Sequence, residues 1–463
     1  MAALPRSRMF PPFDQQSSKD EVSVSRTARE HDRDIAGLAL PALGALAADP
    51  LVSIVDTVFV GRLGVVPLAA LGVNAAIFSL ASVLFNVLEY GTTPMVASAG
   101  GRGDRAGAGR TVMQALTVAA IAGPLAMLVL LGFDDTIIET MGATEELREP
   151  TLTYLRIRAL AAPAVLIVTA GHGIFRGYLD TKTPLIVTLG LNLVNLVLDP
   201  LLIFGLDLGL AGAAIATTIA QWTGALWFLD LLLRRRRDAL GIEIVLPRPA
   251  ELVPFLRIGG ALALRTFALI GTLTLATAVA TRIGTVQVAA HQVATQVWLL
   301  LALVVDALAV AGQALVAKYR GAGDPGRARD AANRLLGWGL RIGVGLAVLF
   351  LALAPILPRF FTPEPEVVAT ILLVYPFIVF MQPLNAVVFV WDGVLLGAED
   401  FRFLAWQMAL SAAAAAGVLL LVIPMGWGLV GVWWGMVTLM AVRALTLAWR
   451  YWFAWPGTDR AHG

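Results

Sequence analysis

The 463-residue chain contains no cysteine. That excludes a disulfide framework and any thiolate-bound metal. Histidine is nearly as scarce. The four are His31, His172, His291 and His462, and none stands at a ligand spacing from another, so no catalytic metal is expected. Charge is sparse as well. Asp, Glu, Lys and Arg make up 14% of the residues and the formal net charge is +2, so the basic residues point to topology and not to nucleic acid.

What fills the chain is apolar: 58% of residues are hydrophobic. Runs of twenty or more recur at 35–60, 68–98, 112–132, 151–174, 184–204, 210–233, 254–280, 287–317, 335–357, 366–396, 403–424 and 428–453. Each is long enough to cross ~30 Å of hydrocarbon. The runs are continuous and do not alternate, so the spanning element is a helix. Arg33, the apolar stretch after it and Ala45-Leu46-Ala47 imitate a cleaved signal peptide. The run continues to Val60, so an anchored first helix is expected.

The sequence is also written twice. Gly64 and Gly284 are 220 residues apart, and the block Val60–Val73 reappears at Ala280–Val293. The same offset relates Gly103-Asp104 to Gly323-Asp324, Pro163 to Pro383, Gly173 to Gly393, Gly177 to Gly397 and Asp180 to Asp400. Beyond that the frame slips by one, and Gly209 and Gly212 fall on Gly428 and Gly431. Six runs lie in each copy, so both copies insert in one orientation. The expected fold is an all-α integral membrane protein of twelve helices. They form two parallel six-helix bundles related by a pseudo-two-fold axis along the membrane normal. The expected divisions are a disordered cytoplasmic tail at 1–33, a first bundle at 34–233, a linker at 234–252, a second bundle at 253–453 and a tail at 454–463.

Lys and Arg alternate from loop to loop. One set holds Arg102, Arg105, Arg110, Arg176, Lys182, Arg234 to Arg237, Arg248, Lys318, Arg320, Arg327 and Arg329. The other holds little beyond Arg62, Arg148, Arg282 and Arg359. The first set should face the cytoplasm, with both termini, in a cell membrane. The linker charges read as topological and lipid-facing.

Ionisable residues inside the apolar runs need a reason, because each is costly in hydrocarbon. They are Asp49, Asp56, Glu89, Asp199, Arg265, Asp306 and Asp392, with His172 and His291. Asp56 lies about four residues, roughly 6 Å, inside the outer end of its helix, and Asp199 about five residues inside its own. Thr217 and Thr218 share that layer, and Asn195, four residues before Asp199, shares its face. Two carboxylates, an amide and a hydroxyl at one depth can bind a proton or a small hard cation. If the carboxylates are close, they cannot readily both ionise. A static hydrogen-bonded core cluster is the alternative. Pro41 and Pro50 lie on the same helix as Asp56, which makes Pro41 a candidate hinge, and Pro200 should disturb the backbone after Asp199. In the second copy, Ala276 and Leu419 stand at the places of Asp56 and Asp199. An Arg265–Asp306 or His291–Asp306 interaction is expected there as structure. Asp392 and His172 are equivalents and read as gate or packing elements. Glu89 has no assigned partner.

Leu38-Ala39-Leu40-Pro41, the block Val55–Gly64 and the Gly-Ala-Gly-Asp loop at 321–324 resemble multidrug and toxic compound extrusion (MATE) transporters. The stretch Asn192–Pro200 resembles their DinF-like branch. The resemblance covers about residues 34–453. It implies antiport: an organic, often cationic or amphipathic compound leaves as H⁺ or Na⁺ enters by alternating access. It implies an ion-coupling site at Asp56 with Asn195, Asp199 and Thr217 around it, Pro41 as the bending point and Tyr154 on the substrate cavity. The acidic site that the other large branch carries on its seventh helix is not evident here, where that helix carries Arg265 instead. No cofactor and no metal other than Na⁺ at that site are implied. The partners are small organic substrates and membrane lipid, with a single copy of the chain and no nucleic acid. Two other readings remain. A lipid-linked precursor flippase would need cationic residues facing the cavity, for which Arg265, Arg156 and Arg158 are the candidates. A membrane-embedded enzyme finds no nucleophile pair or metal motif.

Overall fold

The structure, a computed structural model, describes residues 24–141, 145–361 and 364–455. Residues 1–23 of the expected N-terminal tail and 456–463 of the C-terminal one lie outside them. Among the described residues there is no strand.

The helices fall into two matching sets of eight. The first set is α1 (Val24–Gly61), α2 (Val65–Gly101), α3 (Arg105–Gly132), α4 (Asp134–Thr140), α5 (Glu145–Ala159), α6 (Ala162–Gly177), α7 (Lys182–Pro200) and α8 (Gly209–Asp230). The second is α9 (Pro249–Ile283), α10 (Thr285–Gly321), α11 (Pro325–Leu353), α12 (Leu357–Phe361), α13 (Pro365–Phe380), α14 (Gln382–Gly397), α15 (Phe401–Val422) and α16 (Gly428–Phe453). Eight of them are long and apolar enough to cross a membrane alone. Each of the pairs α5–α6 and α13–α14 makes one crossing bent by 50°. Among the described residues that makes ten crossings, and α2 and α8, the latter with its apolar sequence diluted by Thr217, Thr218, Gln221 and Thr223, occupy the two remaining expected runs.

The two bends correct the expectation of unbroken helices at 151–174 and 366–396. The breaks fall at Leu160-Ala161 and at Met381, just before Pro163 and Pro383 in the first turns of α6 and α14. A proline there has no N–H to give the preceding turn and disfavours helix in the residue before it. The repeat has therefore kept its bends along with its helices.

Close backbone contacts repeat with the same offset. A β-carbon on Gly173 would sit 2.9 Å from the Glu89 carbonyl oxygen, and one on Gly393 would sit 2.5 Å from that of Ala309. Gly177 meets the Thr93 carbonyl and Gly397 that of Gln313, both on the same pattern. So α6 packs on α2 as α14 packs on α10, and small residues allow the backbones to touch. The loops match too. Gly103 and Gly323 have φ of 72° and 74°, and the Asp104 and Asp324 carboxylates accept from the first turns of α3 and α11.

Helix α1 starts at Val24, ten residues earlier than the expected tail boundary, and runs unbroken through Pro41 and Pro50. Its polar start is held by partners from the other half. Asp32 accepts from Arg334 Nε at 2.6 Å and from Trp338 Nε1 at 2.8 Å, while His31 is buried edge-on to Tyr319. Ile35, Leu38, Ala39 and Ala42 join the core of the second bundle. Toward the other end of α1, Leu51, Ile54 and Val58 are exposed. The halves thus close on each other around the start of α1 and the ends of α2 and α10, where Gln313 Nε2 donates to the Tyr90 carbonyl at 2.8 Å.

Between the halves, a π-helical turn at Leu231–Arg235 ends the first bundle, and Pro249 opens α9. The connecting segment folds onto the first bundle. Leu240 and Ile242 are buried in its core, Tyr178 donates to the Leu240 carbonyl at 2.7 Å, and Arg236 pairs with Asp180 at 3.0 Å. Some of its positive charge is therefore structural and not only lipid-facing.

Candidate functional site

Helices α1 and α7 run side by side, and their acids meet. The carboxylates of Asp56 and Asp199 are within hydrogen-bonding reach of each other. Asn195 Nδ2 donates to Asp199 Oδ2 at 2.7 Å from one turn earlier on the same helix. Asp199 is fully buried, and its Oδ1 and the Oδ1 of Asp56 are buried without a hydrogen-bond partner. The local backbone helps to place them. Pro200 ends α7, and a π-helical turn over Leu201–Gly205 follows it. A single π turn of this kind is common where a helix serves a function.

Tyr154, from α5, is buried with Val60, Ile203, Ala213 and Ala214. It feels the charges of Asp56 and Asp199 and lies against the guanidinium of Arg158 within hydrogen-bonding reach. It is therefore buried in the interior of the first bundle in this arrangement. Thr217 is not joined to the acids by a direct bond: its hydroxyl donates to the Ala213 carbonyl of its own helix at 2.9 Å. Thr218 reaches across to the Ile157 carbonyl at 3.3 Å. Pro41 is half-buried in continuous helix, fifteen residues before Asp56. A groove of about 640 Å³ lies elsewhere, between α15 and α16, lined by Phe403, Trp406, Gln407, Leu410, Leu445 and Trp449.

Two features of the first bundle were missed in the sequence. Arg158 reaches the acid layer; its signal was its place one helical turn after Tyr154. Asn192 Nδ2 donates to Asp49 Oδ1 at 2.9 Å. Asp49 precedes Asp56 by seven residues and Asn192 precedes Asp199 by seven, so the same two faces meet again two turns away.

The second bundle differs from expectation. Arg265 pairs with Asp392, not with Asp306, and Arg443 approaches the other Asp392 oxygen at 3.6 Å. Asp306 remains near Arg265, Arg443 and Arg176, so it interacts with the cluster without forming the expected pair. His291 turns to Thr295 at 3.5 Å and packs edge-on to Trp433, away from Asp306. The sequence distance between Arg265 and Asp392 hides a contact that the α9–α14 geometry creates. In the first bundle Glu89 finds Arg176. His172, the equivalent of Asp392, bonds Thr188 at 3.2 Å and packs on Phe228, as a packing element. No group of three or more potential metal ligands exists among the described residues.

A family model described as MatE matches residues 41–201 and 261–426. Among curated relatives, Protein DETOXIFICATION 44, chloroplastic, of Arabidopsis thaliana is 38% identical over 90% of this chain and 81% of its own length. DNA damage-inducible protein F of Escherichia coli is 28% identical over 90% of this chain and 92% of its own. A solved MATE structure in a bent conformation superposes with a TM-score of 0.85 at 22% identity, covering 93% of this chain and 97% of that one. The matched segments include both copies of the repeat and all of Asp56, Asn195 and Asp199, and the chain belongs to the MatE family of multidrug and toxic compound efflux transporters.

Proposed function

We propose that the protein is a secondary antiporter in a cell membrane, with both termini cytoplasmic. It exports organic, cationic or amphipathic compounds as H⁺ or Na⁺ enters. The observation that carries this reading is the Asp56–Asp199 contact, with Asn195 donating to Asp199, in the interior of the first bundle. Adding one positive charge there changes which hydrogen bonds the two helices can make. The site lies on α1, which carries Pro41 and is shared by both halves, so occupancy can bias how the halves close. Antiport needs this differential interaction: the ion favours one arrangement and the substrate the other.

The test is transport in liposomes with an imposed pH or Na⁺ gradient and dye cations as substrates. Asp56→Asn and Asp199→Asn should reach the membrane at wild-type level and lose gradient-driven export. Normal export by both variants would leave these acids as core structure. The flippase reading is less well supported, because its candidate cations have other partners. Arg265 is held by Asp392, Arg156 by Asp134, and Arg158 stands in the acid layer.

A further inference from the structure

We infer that the groove between α15 and α16 is a binding site for one anionic phospholipid, held by an acyl chain, an ester group and its phosphate. This goes beyond the antiport reading and does not depend on it.

The two helices pack on α9 and α14 of their own bundle and leave a row of large apolar side chains exposed. Trp406 and Leu410 from α15 and Leu445 and Trp449 from α16 line the groove, and all four are exposed. Its volume of about 640 Å³ falls within the roughly 300–1,000 Å³ of small-molecule sites. Gln407 and Thr446 are the polar members of the wall. Gln407 is 2% exposed, and its Nε2 has no hydrogen-bond partner among the described residues. Its Oε1 is 3.4 Å from the Thr446 hydroxyl, which already donates to the Val442 carbonyl at 2.8 Å. A buried amide N–H is costly to leave unpaired, and a bare hydrocarbon chain cannot accept from it.

The first bundle fills the equivalent place. The repeat offset sets Lys182 at Arg402, Val187 at Gln407 and Gly190 at Leu410, and with the one-residue slip it sets Trp227 at Thr446. Trp227 lies on Gly190, where a β-carbon would be 2.5 Å from its ring, and Val187 is fully buried. An indole thus occupies the space between α7 and α8. In the second bundle a threonine stands in its place, the space is open, and an amide replaces the valine. The groove is therefore a property of the second copy and not of the fold that the copies share.

The chemistry along α15 matches a phospholipid from its head to its chains. Arg402 is exposed in the first turn of α15, one turn before Trp406 and on the same face. Gln407 follows five residues later, about 7.5 Å along the helix. The interfacial layer of one leaflet is roughly 5–8 Å deep, so with Arg402 at the phosphates Gln407 reaches the depth of the acyl esters. An ester carbonyl there can accept from Nε2, and the chain beyond it runs between Leu410 and Leu445. Trp406, Trp449 and Trp452 are exposed at this end of the helices, and indoles concentrate at the membrane interface. A cation at this level favours an anionic headgroup. Arg450 adds less, because it is held by Asp400 at 2.6 Å. A cationic substrate in the groove would meet the like charge of Arg402.

The experiment uses full-length protein in detergent and measures retained lipid by native mass spectrometry, after addition of phosphatidylglycerol or of phosphatidylcholine with the same chains. Wild type should hold one phosphatidylglycerol about fivefold more tightly than phosphatidylcholine, the factor expected of one arginine near the headgroup. Arg402→Gln should lose that preference and still hold a lipid. Gln407→Val copies the first bundle and should weaken both lipids alike. Thr446→Trp fills the groove and should lose the bound lipid. If Thr446→Trp fails to fold, Arg402→Gln and Gln407→Val decide. Equal retention of both lipids by wild type overturns the inference, as do an unchanged preference in Arg402→Gln and an unchanged lipid in folded Thr446→Trp. Displacement of the lipid by a dye cation would make the groove a substrate site instead. A two-chain mass that Thr446→Trp reduces to one chain would make it an interface between copies, and either result also overturns the inference.

Discussion

Gly101 and Gly321 occupy equivalent places in the two halves, and neither has room for a β-carbon. One built on Gly101 would lie 2.0 Å from the Lys318 carbonyl oxygen, and one on Gly321 would lie 2.0 Å from that of Ser98. The contact joins the ends of α2 and α10 and is backbone on both sides, so no side chain can swing away to relieve it. Gly101→Ala or Gly321→Ala should cost this closed arrangement about 1–3 kcal/mol and shift molecules toward separation at that end. The chain has no cysteine, so single cysteines can be introduced on a clean background. Arg102→Cys with Ala322→Cys should cross-link in the parent and cross-link markedly less once Gly101→Ala is added. Equal cross-linking would show that the glycines are not what lets the halves meet.

The Asp392 carboxylate serves two buried guanidiniums, Arg265 and Arg443. Removing it leaves both without that anion, so Asp392→Asn should lower stability by about 3–5 kcal/mol. Arg265→Met leaves Arg443 on Asp392 and should be milder. Thermal unfolding in detergent measures both. A variant at Asp392 that unfolds with wild type would mean that Asp306 alone balances the arginines.

Much of this molecule could be read from its sequence, because the repeat and the apolar runs carry it. Gly64 and Gly284, or Pro163 and Pro383, set the same local backbone twice, and backbone constraints survive duplication well. Asn195 and Asp199 were legible because a one-turn spacing fixes a shared face. Partners across helices were not. Arg265 could have met Asp306 or Asp392, and only the arrangement of α9 and α14 around α10, α15 and α16 decides. Arg158 was hidden for the same reason: its place relative to Asp56 depends on how α5 and α1 are both set against α2 and α8. The helical state of 24–33 was missed because its charges look solvated in sequence, while Asp32 and His31 have partners on α11 and α10.

Asp134, at the start of the short α4 outside the membrane-spanning helices, accepts from Arg156 Nε at 2.6 Å. That bond holds its carboxyl below the usual carboxylate range. A depressed folded-state value stabilises the fold above the unfolded value of about 4, and the contribution is lost as pH falls through the folded value. Lowering pH from neutral into that range should therefore loosen the α4–α5 contact. Asp134→Asn should lose stability at neutral pH and show a weaker acid dependence than wild type. Unfolding temperature against pH for the two proteins checks it. Parallel curves would rule out the pair as a source of acid sensitivity.

Asp32 and Arg334 tie the start of α1 to α11, across the two halves, with the Trp338 indole as a third member. The two-pronged geometry fixes orientation as well as distance. The same stretch of α1 contributes Ile35, Leu38, Ala39 and Ala42 to the second bundle's core. These apolar contacts should keep the fold intact without the ion pair, so Asp32→Ala is expected to fold. What it should change is how firmly the halves close at this end. In the cysteine-free background, a cysteine at Ala39, which is 8% exposed, should react slowly with a water-soluble maleimide. Adding Asp32→Ala should speed that reaction several-fold, and Asp32→Glu should restore part of the protection. Cysteines at Ala115 or Ala170, buried within the first bundle, should keep their slow rates in every variant. If Asp32→Ala speeds all three positions alike, the pair supports the fold as a whole. If it speeds none, the apolar contacts of α1 hold the closure by themselves. Acceleration confined to Ala39 is the result expected of a latch between the halves.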